Sequence, residues 1–171
     1  LSDPTQVRGV DIVTIGITPF QYNPVTKELI VIRDIELEIE FVGGNGTFGD
    51  TRLRSRWWDP ILYGNIINAS ILPEIDYTKK SGSGKSPDYE YLIIIPNSAA
   101  FIQWADSIKN WRTLQGIKTG VVTTTDIGGN TVSAIETYVD NAFYTWDVPP
   151  VAVLLMADYG RSGASITSQI Y

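Results

Sequence analysis

Three short strand-like runs, Tyr91–Ile95 and Val151–Met156 continuously apolar and Ile117–Thr123 between them, are separated by two stretches of helical period, and few folds accept that arrangement. A strand apolar on both faces has to be covered on both faces, which is the situation of strands in a parallel sheet with helices on each side. Between the first two runs, Phe101, Trp104, Ala105, Ile108 and Trp111 recur at three- and four-residue spacing. Ser98 stands where an N-cap belongs and Gly116 where a C′ glycine belongs, so a helix near 98–115 is predicted. Asn130 or Thr131 can cap a second helix near 131–144, whose inward stripe is Ile135, Tyr138, Val139, Ala142 and Phe143. Pro96 ends the first strand, and Pro149-Pro150 breaks the chain before the third. Strands alternating with helices of this length imply right-handed crossovers and a Rossmann-like βαβαβ unit. Such sheets take ligands at the carboxyl ends of their strands, which directs attention to Asp158, close after Met156.

The first third of the chain has a different period. Val13, Ile15 and Ile17 alternate with Ile12, Thr14 and Gly16 as far as Pro19, which cannot donate to a sheet ladder. Tyr22-Asn-Pro-Val-Thr-Lys27 reads as a turn, because Asn before Pro disfavours helix. The longest strand signal follows: Leu29, Val31, Ile35, Leu37, Ile39 and Phe41 on one face, with Asp34, Glu36, Glu38 and Glu40 on the other. An acidic row of this kind reads as a solvated face before it reads as a cation site. Gly43-Gly-Asn-Gly46 and Gly49 end it; without a Gly-Lys-Ser/Thr ending they do not make a phosphate loop. Asn45-Gly-Thr and Asn68-Ala-Ser match the glycosylation sequon, a pattern common by chance. An antiparallel β-rich module around residues 8–42 is expected, sandwich-like, within a domain spanning 1–75. The apolar stretch Ile61–Leu72 reads as a short irregular strand or turn.

Residues 76–88, with Lys79, Lys80, Ser81, Gly82, Ser83, Gly84, Lys85, Ser86 and Pro87, have the composition of a flexible linker, and 89–171 then form the α/β part. Lys79, Lys80 and Lys85 are candidate processing sites, and the first trypsin cuts are expected there; an ordinary surface loop has the same composition. Arg56 is a further candidate. It lies in Arg52-Leu-Arg54-Ser-Arg56-Trp57-Trp58, which invites a nucleic-acid reading through cation and stacking contacts. The formal net charge of −6 opposes that reading, because phosphate would be repelled. Two readings remain: arginines packed on tryptophans, or an exposed basic turn open to a trypsin-like protease.

The chain has no histidine and no cysteine, which removes Cys/His dyads, Ser/His/Asp triads and the common zinc sites from this segment. No other cluster offers an activated nucleophile, so the segment alone is expected to be inactive as a peptidase. No apolar run reaches the roughly 18 residues of a membrane span. Without cysteine, disulfide counting does not identify the compartment.

Val7-Arg-Gly-Val-Asp11 and Ile17-Thr-Pro-Phe-Gln-Tyr-Asn-Pro-Val-Thr-Lys-Glu-Leu29 resemble the end of the propeptide of gingipain-like cysteine peptidases. Tyr91-Leu-Ile-Ile-Ile-Pro96, Trp104, Trp111-Arg112, Gly116-Ile-Lys-Thr119 and Val153-Leu-Leu-Met-Ala-Asp158 resemble the start of their caspase-like catalytic domain. The resemblance implies a fragment of a secreted or cell-surface bacterial endopeptidase precursor, a zymogen whose catalytic histidine and cysteine lie downstream of Met156. Peptide substrates would be met by the intact enzyme, and the partner of this segment would be the remainder of the precursor, with neither nucleic acid nor a membrane span involved. No cofactor is required; in some members the aspartate matching Asp158 holds a structural calcium, although Ala157 stands where the family usually has glycine. A cap on the next turn is the other role open to Asp158. The competing reading is a noncatalytic binding or secretion-associated module of the same architecture. In either case a parallel sheet of only these strands and helices leaves part of Val151–Met156 uncovered, so a further partner is expected there.

Overall fold

The computed structural model describes residues 1–78, 87–158 and 165–166. Its contacts divide the chain into two compact units, Leu1–Thr51 and Arg52–Tyr171, and the whole is mixed α/β.

The first unit holds two separate hairpins. β1 (Thr5–Val7) pairs antiparallel with β2 (Val10–Ile12) through a two-residue turn, with Val7 opposite Val10. Arg8 (φ 48) and Gly9 (φ 79) both have positive φ, as a type I′ turn demands. Residues 13–17, whose alternation predicts a strand, form none. β3 (Phe20–Asn23) pairs with β4 (Glu28–Val31), and the expected Asn-Pro turn joins them. Asn23 Oδ1 accepts the amide hydrogens of Val25 (3.0 Å) and Thr26 (3.4 Å), an Asx turn that orders the loop. The long strand expected to reach Phe41 stops at Val31. Alternation creates a face to bury, but a ladder needs a partner strand, and none lies beside residues 33–42 among the described residues. At Gly49 (φ 117) an added Cβ would lie 2.7 Å from the Gly9 carbonyl oxygen, so glycine is required for the return of the chain past β2.

The second unit is organised by β5 (Tyr91–Ile95), the middle strand of a parallel sheet ordered β6-β5-β7. β6 is Thr119–Thr123 and β7 is Ala152–Leu155, each slightly shorter than its apolar run. Leu92, Ile93, Ile94 and Ile95 are all 0% exposed, which satisfies the requirement that their sequence imposed. Leu92 and Ile94 pack with Ile135, Ala142 and Trp146 of α3 (Val132–Thr145) and its cap. Ile93 and Ile95 pack on the opposite face with Ala105 and, around it, Phe101, Ile102 and Ile108 of α2 (Ala99–Leu114). Burial of each such side chain is worth roughly 1.5–3 kcal/mol.

The helix ends follow their sequence signals unevenly. Thr131 caps α3 by accepting the Ala134 amide hydrogen at 3.2 Å, whereas Ser98 occupies the N-cap position of α2 without a side-chain cap bond. Gly116 (φ 77) closes α2: its amide hydrogen goes to Thr113 O and that of Ile117 to Arg112 O, the paired bonds of a Schellman motif. Ile61–Leu72 is neither strand nor plain turn: α1 (Asp59–Asn65) begins at Asp59-Pro60, and a 3₁₀ turn spans Ala69–Ile71. Proline in the first helical turn sacrifices no hydrogen bond, and Asp-Pro was the overlooked start signal. β7 lies at the sheet edge, and Ala152, Val153 and Leu155 are exposed among the described residues, as an incompletely covered sheet requires.

Gly120 in β6 has a role that no turn explains. A Cβ there would fall 1.9 Å from Cδ2 of Tyr89, whose ring meets Trp146 edge-on at 5.9 Å. The glycine leaves the space that Tyr89 fills. Gly120→Ala is expected to destabilise the second unit by about 1–3 kcal/mol through displacement of that ring. Thermal unfolding followed by tryptophan fluorescence measures it, and an unchanged midpoint would contradict the packing role.

Candidate functional site

The described residues that converge most densely belong to the stretch opening at Arg52, and they build an anchor. Residues in a turn lose their backbone partners unless side chains supply them, and here three alternate arginines each make several bonds. Arg54 is only 2% exposed; its Nε donates to Asp59 Oδ1 (2.7 Å), its Nη2 to Asp59 Oδ2 (2.8 Å) and its Nη1 to the Pro73 carbonyl (3.3 Å). The Tyr77 hydroxyl donates to the same carboxylate, at 2.5 Å from Oδ2. One buried ion pair therefore ties the start of α1 to the chain near 73–77. The hydrogen bond to Asp59 raises the Arg54 guanidinium above its ordinary value. Burial, followed by the hydrogen bond to Asp59, pushes the Tyr77 phenol well above its own.

Arg52 and Arg56 reach the ends of the two long helices. Arg52 Nη1 donates to the carbonyls of Phe143 (2.6 Å) and Trp146 (3.1 Å) at the end of α3. Arg56 Nη2 donates to the Gly116 carbonyl (2.5 Å) just past α2. Both sites carry the negative end of a helix dipole and unpaired carbonyls, so a guanidinium suits them. Arg56 also forms a forked pair with Glu90: Nε to Oε1 at 3.1 Å and Nη2 to Oε2 at 3.0 Å. Glu90 accepts two further hydrogens, from Trp57 Nε1 (3.2 Å) and from the Lys118 amide (3.1 Å). The Arg56 guanidinium lies 4.7 Å from the centroid of the Trp57 ring. Packing of arginine on tryptophan, one of the two sequence readings, thus holds for Arg56. Its side chain is engaged at several points yet 43% exposed, in a turn, so the second reading, an exposed basic turn, is met at the same residue. The sequence marked the arginines but not Glu90, Asp59 or Tyr77; an arginine row in an acidic chain was the only signal that carboxylates stood opposite.

Lys79, Lys80 and Lys85 lie outside the described residues. Asp88, expected at the end of a solvated linker, is buried instead, at positive φ (53°), and its Oδ1 accepts the Val148 amide hydrogen at 3.2 Å. The compact second unit also begins at Arg52, ahead of the stretch 76–88, because the arginine contacts join residues 52–77 to those of the sheet.

At the carboxyl edge of the sheet the connection to β6 leaves β5 on one side and the connection to β7 returns on the other, so the switch point lies between β5 and β7. Asp158 follows β7 at that edge and is exposed. Among the described residues no group of three or more acidic side chains gathers to hold a metal ion. Calcium takes six to eight oxygens, roughly, and Asp158 supplies only one carboxylate toward such a set. Asp126, after β6, accepts the amide (2.8 Å) and hydroxyl (2.8 Å) hydrogens of Thr123, the amide bond above all holding its carboxyl below the usual range. A shallow groove of about 460 Å³ between Ile127 and Asn141 is lined by no charged side chain. What these contacts do is anchor polypeptide.

Two outcomes follow. Arg54→Ala removes the counter-charge from the part-buried Asp59 carboxylate, which keeps only its Tyr77 bond of those described above, and is expected to cost about 1.5–3 kcal/mol in denaturant unfolding, against roughly 1 kcal/mol or less for a surface ion pair; a loss below that surface value would remove Arg54 from the centre of the anchor. Tyr77, with its folded value raised, contributes stability that is complete below the ordinary phenol value of about 10 and is lost as pH rises through the folded value. Ultraviolet titration of the native chain against Tyr77→Phe should therefore assign Tyr77 a late phenolate signal; one ionising with the exposed tyrosines contradicts the Asp59 bond.

Comparison with known proteins bears on the first unit most directly. The family model described as Propeptide_C25 matches residues 1–52, nearly the span of the compact unit Leu1–Thr51. Over 99% of its length the chain is 23% identical to Gingipain R2 of Porphyromonas gingivalis (strain ATCC BAA-308 / W83), and it spans 23% of that protein. No solved structure matches it. On the family match to 1–52 and the likeness along the whole chain, this protein carries a gingipain-like propeptide region.

Proposed function

We propose that the chain is the propeptide end and the opening part of the catalytic domain of a secreted bacterial cysteine endopeptidase precursor. The observation that carries this reading is the coincidence of the propeptide match, residues 1–52, with a separately compact unit that ends at Thr51. The likeness to Gingipain R2 continues through the α/β unit, which supports a caspase-like catalytic sheet beginning at β5. In this reading the thiolate and imidazole that hydrolyse peptide bonds come from outside these residues, since the chain has neither. The β-rich unit Leu1–Thr51, sandwich-like when complete, keeps the precursor a zymogen, and further polypeptide of the same precursor covers β7. Scission at Lys79, Lys80 or Lys85 cuts the chain ahead of the sheet, and Asp158 contributes one oxygen to a calcium site whose other donors lie elsewhere.

The test compares the 171-residue chain with the full-length precursor encoded around it. The precursor should hydrolyse peptide substrates after processing and lose that activity on thiol alkylation, while the chain alone shows none. A precursor that stays inactive after processing, or hydrolyses peptides with full resistance to alkylation, overturns the reading. The inactive outcome favours the noncatalytic module.

A further inference from the structure

The first unit presents a segment that pairs with no strand among the described residues. From Ile32 to Val42 the side chains are exposed, among them Ile35, Leu37, Ile39 and Phe41, with Phe41 at 74%. Asp34, Glu36, Glu38 and Glu40 alternate with them. The ladder of β4 ends with Val31, and the Ile32 amide makes one more bond to Pro19 O. Beyond that no backbone hydrogen bond joins residues 33–42 to another strand among the described residues. Unpaired main chain beside an alternating apolar row is the form in which an added strand is accepted. The pairing already present gives a second reason. β3 and β4 make a two-stranded sheet, as do β1 and β2, and two strands alone are marginal in water, whereas a third with an apolar face stabilises the set.

We propose that residues 33–41 are a strand-addition site, and that its occupant is an extended polypeptide strand in which apolar residues alternate with lysine or arginine. The apolar half of that pattern covers Ile35, Leu37, Ile39 and Phe41. The basic half faces the acidic row, since opposite charges directly across a ladder stabilise a pair and like charges destabilise it. A second copy of this chain is the wrong occupant for the same reason: self-pairing brings acidic row against acidic row. This inference concerns the first unit alone and stands whether or not the precursor is a peptidase.

The experiment uses the intact 171-residue chain and two peptides of about ten residues, one alternating valine with lysine and one alternating valine with glutamate. The lysine peptide should slow amide hydrogen exchange at residues 33–41 and bind about tenfold or more tighter than the glutamate peptide, a preference that shrinks with added salt. In the doubly reversed variant Glu36→Lys, Glu38→Lys the preference should fall or invert. Equal binding of both peptides by the unsubstituted chain overturns the proposal. So does protection that falls outside 33–41, or protection that grows with protein concentration when no peptide is present, which would assign the site to a second copy.

Discussion

Burial of β5 on both faces is the constraint on which the second unit depends. Four consecutive residues, Leu92 to Ile95, have no access to solvent, and this is possible only with neighbours on either side and a helix on each face. The order β6-β5-β7 meets this need, because crossovers of one hand that run in opposite directions across the sheet, from β5 to β6 and then from β6 past β5 to β7, deposit α2 and α3 on opposite faces. Gly120 belongs to the same constraint: Tyr89 closes the α3 side only because β6 has no side chain at that point.

The arginines extend that core to residues the sheet does not bury. Residues 52–77 contain little regular structure, and their hold is polar: Arg52 on the end of α3, Arg56 on Glu90 and the end of α2, Arg54 on Asp59 inside the stretch itself. Burying the Arg54 guanidinium costs desolvation, and the main return of the pair is a specified geometry, since without Asp59 that cation would lose its counter-charge at a buried position. Carbonyls past the ends of two helices, left without intrahelical partners, become the acceptors.

Legibility differed between the two units for a physical reason. In 91–155 most of the apolar pattern is satisfied inside the unit, so the strands, both helices, the Thr131 cap and the Gly116 closure could be read directly, although Trp104 and Trp111 of the stripe expected in α2 and Val153 and Leu155 of β7 stay exposed. In 29–41 the alternation was equally clear, yet only Glu28–Val31 pairs, because a strand's period states which faces it wants and says nothing of whether a partner is present. The Arg8-Gly9 turn and the Asp59-Pro60 helix start were in the sequence and passed unread beneath stronger apolar patterns. Glu90, Asp88 and Tyr77 were beyond reach, since each is defined by contacts with residues distant in sequence.

The central claim is that residues 52–77 belong with the sheet and residues 1–51 form a unit of their own. Native-state amide hydrogen exchange across a denaturant series measures it directly, since each cooperative unit opens with its own free energy. The account predicts that the α1 amides, Leu62 and Ile66 among them, open together with those of β5 and β6, while the β1–β2 and β3–β4 hairpins open separately and earlier. Exchange of the α1 amides in step with the hairpins, well before β5, would contradict it.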